Sequence, residues 1–85
     1  MTFCIAVFRS RTHTIGFIRY MRAQGIDVSA INTPTQIKMG CGISAKMPMG
    51  YVKFSEQVIL ALGYSSFKGF YLVEEYDNGK NITKI

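Results

Sequence analysis

The chain opens on a period-two pattern. Between Thr2 and Phe8, Phe3, Ile5 and Val7 fall on one side of an extended backbone and Cys4, Ala6 and Phe8 on the other, which predicts a first strand. The spacing then becomes helical: Ser10 or Thr12 can cap a helix from about Arg11 to Gln24, with Ile15, Ile18 and Met21 on one stripe and Gly25 as its stop. Ile26, Val28 and Ala30 alternate with Asp27, Ser29 and Ile31. This predicts a second strand that ends at Asn32-Thr33-Pro34, because proline has no N–H to give to a ladder. Ile43, Ala45 and Met47 alternate with Ser44 and Lys46 in a third strand, closed by Pro48 to Gly50. Tyr51 to Leu62 returns to helical spacing, with Phe54, Val58, Ala61 and Leu62 ahead of Gly63, and Phe67 to Tyr76 is an aromatic-rich strand. Asp77 to Ile85 is polar apart from Ile82 and Ile85 and reads as a frayed tail.

The order βαββαβ predicts an α+β fold. It is that of the ferredoxin-like sandwich, a four-stranded antiparallel sheet with two helices on one face, formed here by a single domain of residues 1–76 followed by a polar C-terminal tail, 77–85. A chain of 85 residues buries only about 60% of its unfolded surface, too little for a second core. Right-handed crossovers make the first and second strands run the same way. The start of the first helix and the loop after the second strand then share one end of the sheet. That loop is Thr33-Pro34-Thr35-Gln36-Ile37-Lys38-Met39-Gly40-Cys41-Gly42, so Cys41 is expected near Arg9, Arg11 and His13.

Composition narrows the class. With 48% hydrophobic, 13% aromatic and 18% charged residues, the chain is globular rather than disordered. No apolar run approaches the ~20 residues of a membrane span, and no basic segment, apolar stretch and small-residue cleavage site begin the chain. The expectation is a cytoplasmic protein without a membrane anchor. Asn81-Ile82-Thr83 spells a glycosylation acceptor, which has no enzyme to meet it in that compartment. Two cysteines are too few for a disulfide scaffold and read as free thiols. The net charge of +5 is spread from Arg9 to Lys84 with no block of like charge, so charge alone does not point to nucleic acid.

The chemistry concentrates on Cys41. A thiol is inert until it ionises, and a helix N-terminus or nearby cations favour the thiolate. Arg9, Arg11, Lys38 and the Ser10-capped helix start make a candidate anion-binding set, and His13 is a candidate activator. Gly40 and Gly42 leave the thiol open to an approaching partner. The same Gly-Cys-Gly also suits a tight start to a strand with a half-buried cysteine, and His13 in a first helical turn also suits a solvated surface residue. Cys4, inside a strand beside Ala6 and Phe8, is expected to be structural. Two cysteines and one histidine on separate elements fall short of a zinc site, and no phosphate loop, paired carboxylates or Ser-His-Asp spacing stands out.

Thr33-Pro34, Ile37 and Cys41-Gly42, set between a βα unit and a second βαβ half, resemble the small bacterial family of selenium/sulfur carrier-like proteins. Val7-Phe8-Arg9-Ser10 is similar to that family's first strand ending in Phe-basic-Ser, and Gly25-Ile26-Asp27-Val28 to its Gly-Ile-x-Val before the second strand. Thr35 replaces the family's arginine after the proline, and Lys38-Met39-Gly40 replaces its serines before the cysteine. The resemblance implies a carrier rather than an enzyme. Its Cys41 would accept a persulfide or perselenide from a donor such as a cysteine desulfurase and pass the outer atom to an acceptor protein, with no bound cofactor.

A rival reading starts from Lys68-Gly69-Phe70-Tyr71-Leu72-Val73, which is suggestive of the RNA-recognition motif's Lys-Gly-Phe-Gly-Phe-Val. Here it lies on the last strand, Tyr71 and Leu72 break the pattern, and Glu74 and Glu75 follow it, which argues against phosphate binding. A small interaction module without thiol chemistry is the remaining alternative. Phe70 and Leu72 are expected to pack under the helices, leaving Cys4, Ala6, Phe8, Tyr71 and Val73 as an outer apolar patch suited to a homodimer.

Overall fold

The structure, a computed structural model, describes all residues from Met1 to Ile85. It is an α+β fold: β1 (Thr2–Phe8), α1 (Arg11–Ala23), β2 (Ser29–Asn32), β3 (Ile43–Met47), a short 3₁₀ turn (Met49–Tyr51), α2 (Val52–Leu62), β4 (Phe67–Tyr76) and β5 (Gly79–Lys84). The strands form one sheet in the order β2-β3-β1-β4-β5, and every neighbouring pair is antiparallel. The sheet therefore has five strands rather than the expected four. The fifth comes from the segment expected to fray: Asp77 and Asn78 turn the chain, Gly79 takes a φ of 144°, and the strand pairs with β4 from Tyr76↔Gly79 to Tyr71↔Lys84.

β1 is central and buried on both faces. Cys4, Ala6 and Phe8 pack with Phe17, Ile18 and Met21 of α1 and Val58 and Ile59 of α2, so both helices cover one face. Register fixes this side, since Ala6 pairs with Phe70 and Cys4 with Leu72. The expected outer patch of Cys4, Ala6 and Phe8 is thus corrected. Both alternating sets of β1 are apolar, so the sequence could not say which one faces the helices. The helix-free face carries Phe3, Ile5, Val7 and Val73 instead, and they are buried too. Ile37 of the 33–42 loop and Ile82 of β5 pack against them, and the Lys46 ammonium lies 4.5 Å from the centre of the Phe3 ring.

The helices dock on stripes displaced from those expected. α1 buries Thr14, Phe17, Ile18 and Met21 while Ile15 is exposed, and α2 buries Ser55, Val58 and Ile59 while Phe54 and Leu62 are exposed. Polar residues complete each stripe because they are satisfied locally: the Thr14 hydroxyl donates to the Ser10 carbonyl at 3.0 Å, and the Ser55 hydroxyl to the Met47 sulfur at 3.2 Å. β2 begins at Ser29 rather than Ile26 because the preceding residues cap α1. Ile26 N–H donates to Met21 O and Gly25 N–H, at φ 82°, to Arg22 O, the Schellman pattern.

Candidate functional site

β1, α1, the 33–42 loop and the α2–β4 turn meet at one end of the sheet. Phe8 anchors it: its ring packs against Phe17, Phe67 and Tyr64 at centroid distances of 5.5, 5.4 and 6.0 Å. The Phe8 carbonyl accepts from Cys41 N–H at 3.1 Å, which ties the cysteine backbone to the end of β1.

The loop crosses this end from the helix-free face. Ile37 N–H donates to the Pro34 carbonyl, closing a turn. Thr33 pins the loop's base to β3: its N–H donates to the Gly42 carbonyl at 2.9 Å and its hydroxyl pairs with that of Ser44 at 2.6 Å. Gly40 then passes over Val7 so closely that a Cβ there would lie 2.9 Å from Val7 Cγ1, at a φ of 118°. Gly42 has φ 93° but open space around it. The two glycines serve different ends, close approach at 40 and backbone conformation alone at 42.

Cys41 comes to rest against the first turn of α1. Its Sγ lies 3.4 Å from Thr14 Oγ1 and 3.4 Å from the Ile43 carbonyl oxygen, to which its S–H can donate. The thiol is partly exposed, whereas Cys4 is fully buried, with its Sγ 3.2 Å from the Met49 sulfur, and burial raises the Cys4 pKa. Cys41 lines neither of the two surface cavities, of about 190 and 220 Å³. It is presented on a rim.

The other anticipated residues divide into those at the thiol's turn and those engaged elsewhere. Ser10 is the N-cap of α1, accepting from His13 N–H at 3.1 Å. Arg9, Arg11 and Lys38 are exposed, and the only ion pair in the molecule, Lys80–Glu75 at 3.8 Å, involves none of them. The His13 ring is turned to the α2–β4 connection: Nδ1 pairs with Ser66 Oγ at 2.6 Å and the ring stacks on Tyr64 at 5.1 Å, with no hydrogen bond to Cys41. Two residues that matter here did not stand out in the sequence. Thr14 contacts the sulfur. Ser66 takes Arg9 N–H on its carbonyl and Ser10 N–H on its hydroxyl, fixing the turn from which α1 starts.

Elsewhere, Phe70 is buried on the helix side, Leu72 pairs with Cys4, and Tyr71 sits half-buried beside Ile5 on the other face. No three His, Cys, Asp or Glu side chains gather in one place, and no helix is long and apolar enough to cross a membrane.

These features define a small α+β domain that presents one accessible thiol on a glycine-flanked loop. The chain belongs to the family described as "Putative Se/S carrier protein-like", whose model matches residues 3–71, from β1 into β4. No curated protein and no solved structure matches it.

Proposed function

We propose that the protein carries sulfur or selenium on Cys41 as a persulfide or perselenide. The observation that carries this reading is the placement of Cys41: partly exposed, between glycines, outside any cavity, and against the start of α1 in a chain of this family. A thiol on a rim is accessible to another protein's thiol, whereas a small-molecule enzyme encloses its substrate.

In the proposed step, the Cys41 thiolate attacks the outer sulfur of a donor persulfide, R–S–SH. The Cys41 S–S bond forms as the donor S–S bond breaks, and the donor leaves as a thiolate that takes up a proton. Sulfane sulfur moves with no net oxidation, and a perselenide donor gives Cys41–S–SeH in the same way. An acceptor thiol reverses the step. The donor is a persulfide-forming protein such as a cysteine desulfurase, no bound cofactor takes part, and two free thiols suit the reducing cytoplasm proposed as its setting. Arg9, Arg11, Lys38 and the α1 N-terminus stabilise the anion. The β2-β3-β1-β4 order, with both helices on one face, supports reading the first four strands as the ferredoxin-like arrangement.

Intact mass after incubation with a cysteine desulfurase and cysteine tests this. One added sulfur on the wild type and none on Cys41→Ser is the expected result. Equal addition to both proteins, or none to the wild type, overturns the reading.

A further inference from the structure

The cations scattered along the sequence are sorted in space. β1 serves as a ruler, with Phe3 near one end and Val7 near the other. At the Cys41 end lie Arg9 and Arg11 at the start of α1, Lys38 in the loop, and Lys68 at the start of β4. Lys84 joins them, because its side chain runs to Gly69, the residue paired with Val7: a Cβ on Gly69 would lie 2.8 Å from Lys84 Cε. No acidic side chain belongs to these segments.

All five carboxylates lie elsewhere: Asp27 before β2, Glu56 in the first half of α2, Glu74 and Glu75 at the end of β4, and Asp77 in the hairpin. The remaining five cations, Arg19, Arg22, Lys46, Lys53 and Lys80, are with them, and Lys46 points toward Phe3 rather than Val7. Five against five leaves that part neutral. The entire net side-chain charge of +5 therefore sits at the Cys41 end.

We propose that this end is a docking surface for an acidic protein partner. Unbalanced charge at one end orients an approaching partner and speeds encounter, which suits a brief handover. Met39, next to Lys38 and two residues from Cys41, is 46% exposed, and an exposed methionine on the end that also carries Arg9 and Arg11 suits a protein interface. Nucleic acid fits less well. Single strands need open aromatic platforms; Tyr64 and Phe67 at this end are half-buried against Phe8, and the exposed aromatics, Tyr20, Tyr51, Phe54 and Tyr76, all lie away from it. The surface rests on the carrier reading for its purpose, but not for its existence.

Disulfide exchange measures it. Two peptides of the same length, each with a central cysteine activated as a 2-thiopyridyl disulfide, carry either glutamates or lysines on both sides. The Cys41 thiolate displaces pyridine-2-thione and forms a mixed disulfide, and neutral 2,2′-dithiodipyridine corrects for intrinsic thiol reactivity. At about 20 mM salt the acidic peptide reacts about tenfold faster than the basic one, and the ratio falls toward unity at about 0.5 M. The variant Arg9→Glu/Arg11→Glu/Lys38→Glu abolishes or reverses the preference. Arg19→Glu/Lys53→Glu/Lys80→Glu has the same net charge and keeps it. Equal rates for the two peptides, or equal loss in both variants, overturn the proposal. So does an oligonucleotide disulfide of matched charge that outpaces the acidic peptide. Failure of sulfur transfer to Cys41 leaves the ratio unchanged, so the two readings fail separately.

Discussion

At the residue scale, the surroundings of Cys41 differ for the thiol and the thiolate. As a thiol, it donates toward the Ile43 carbonyl while the Thr14 hydroxyl is spent on the Ser10 carbonyl. On ionisation the sulfur loses its proton, and Thr14 Oγ1, 3.4 Å away, is the hydroxyl positioned to turn and donate to it. A hydrogen bond to a charged group contributes about 1.5–3 kcal/mol when buried and less at a partly exposed site. Thr14→Val, similar in shape, is therefore expected to slow Cys41 alkylation at pH 7 by about fivefold, while Thr14→Ser stays near wild type. Equal rates for valine and serine would leave Thr14 a packing residue only. The flanking glycines separate in the same spirit. Gly40→Ala meets Val7 as well as an unfavourable φ and should cost about 2 kcal/mol or more in urea unfolding, whereas Gly42→Ala, with open space, should cost about 1 kcal/mol. Of these residues, Cys41 and its glycines were legible in the sequence. Thr14 was not, because a threonine among the apolar positions of a helix looks like surface until the fold brings residue 41 to it.

At the element scale, two devices carry the site. The first is the Ser10 cap, whose replacement by alanine is expected to cost about 1 kcal/mol, read by urea unfolding; no change would mean that Ser66 alone holds the α1 start. The second is β5. Ile82 is half-buried against Val73 and its neighbours, so Ile82→Ala should destabilise the whole fold by about 1–2 kcal/mol, whereas a frayed tail would tolerate the change silently. The β5 hairpin was foreshadowed by Asp77-Asn78-Gly79 at the end of a strand, but Gly79-Lys80-Asn81-Ile82-Thr83-Lys84 offers too little apolar alternation to stand out. An edge strand needs apolar residues on one face only, and a single isoleucine with lysines around it is a protected edge. Helix ends were easier to read than helix faces. Ser10, Gly25 and Gly63 act within their own turns, whereas the buried stripes shifted because Thr14 and Ser55, which read as surface, have their hydroxyls satisfied by the Ser10 carbonyl and the Met47 sulfur.

At the scale of the whole molecule, the topology decided what the sequence order could not. Cations from Arg9 to Lys84 show no clustering along the chain, yet antiparallel pairing gathers five of them at one end. It also gives the two cysteines opposite fates. Cys4 sits at 0% exposure on the central strand, and desolvation holds its pKa above the ordinary thiol range, because a buried thiolate has lost its water. The consequence for stability has a definite sign. Below the ordinary thiol range, both folded and unfolded states keep the proton, so Cys4 adds no pH dependence. Above it, the unfolded chain releases the proton while the folded one retains it, the unfolded state binds fewer protons, and stability falls as pH rises toward the raised folded pKa. The wild type should therefore lose unfolding free energy through the alkaline range more steeply than Cys4→Ala. That variant, with a cavity of its own, starts from a lower stability, but its curve should be flatter. Urea midpoints at neutral and alkaline pH give the comparison. Parallel curves for wild type and Cys4→Ala would show that the buried thiol is not what sets the alkaline limit of the fold.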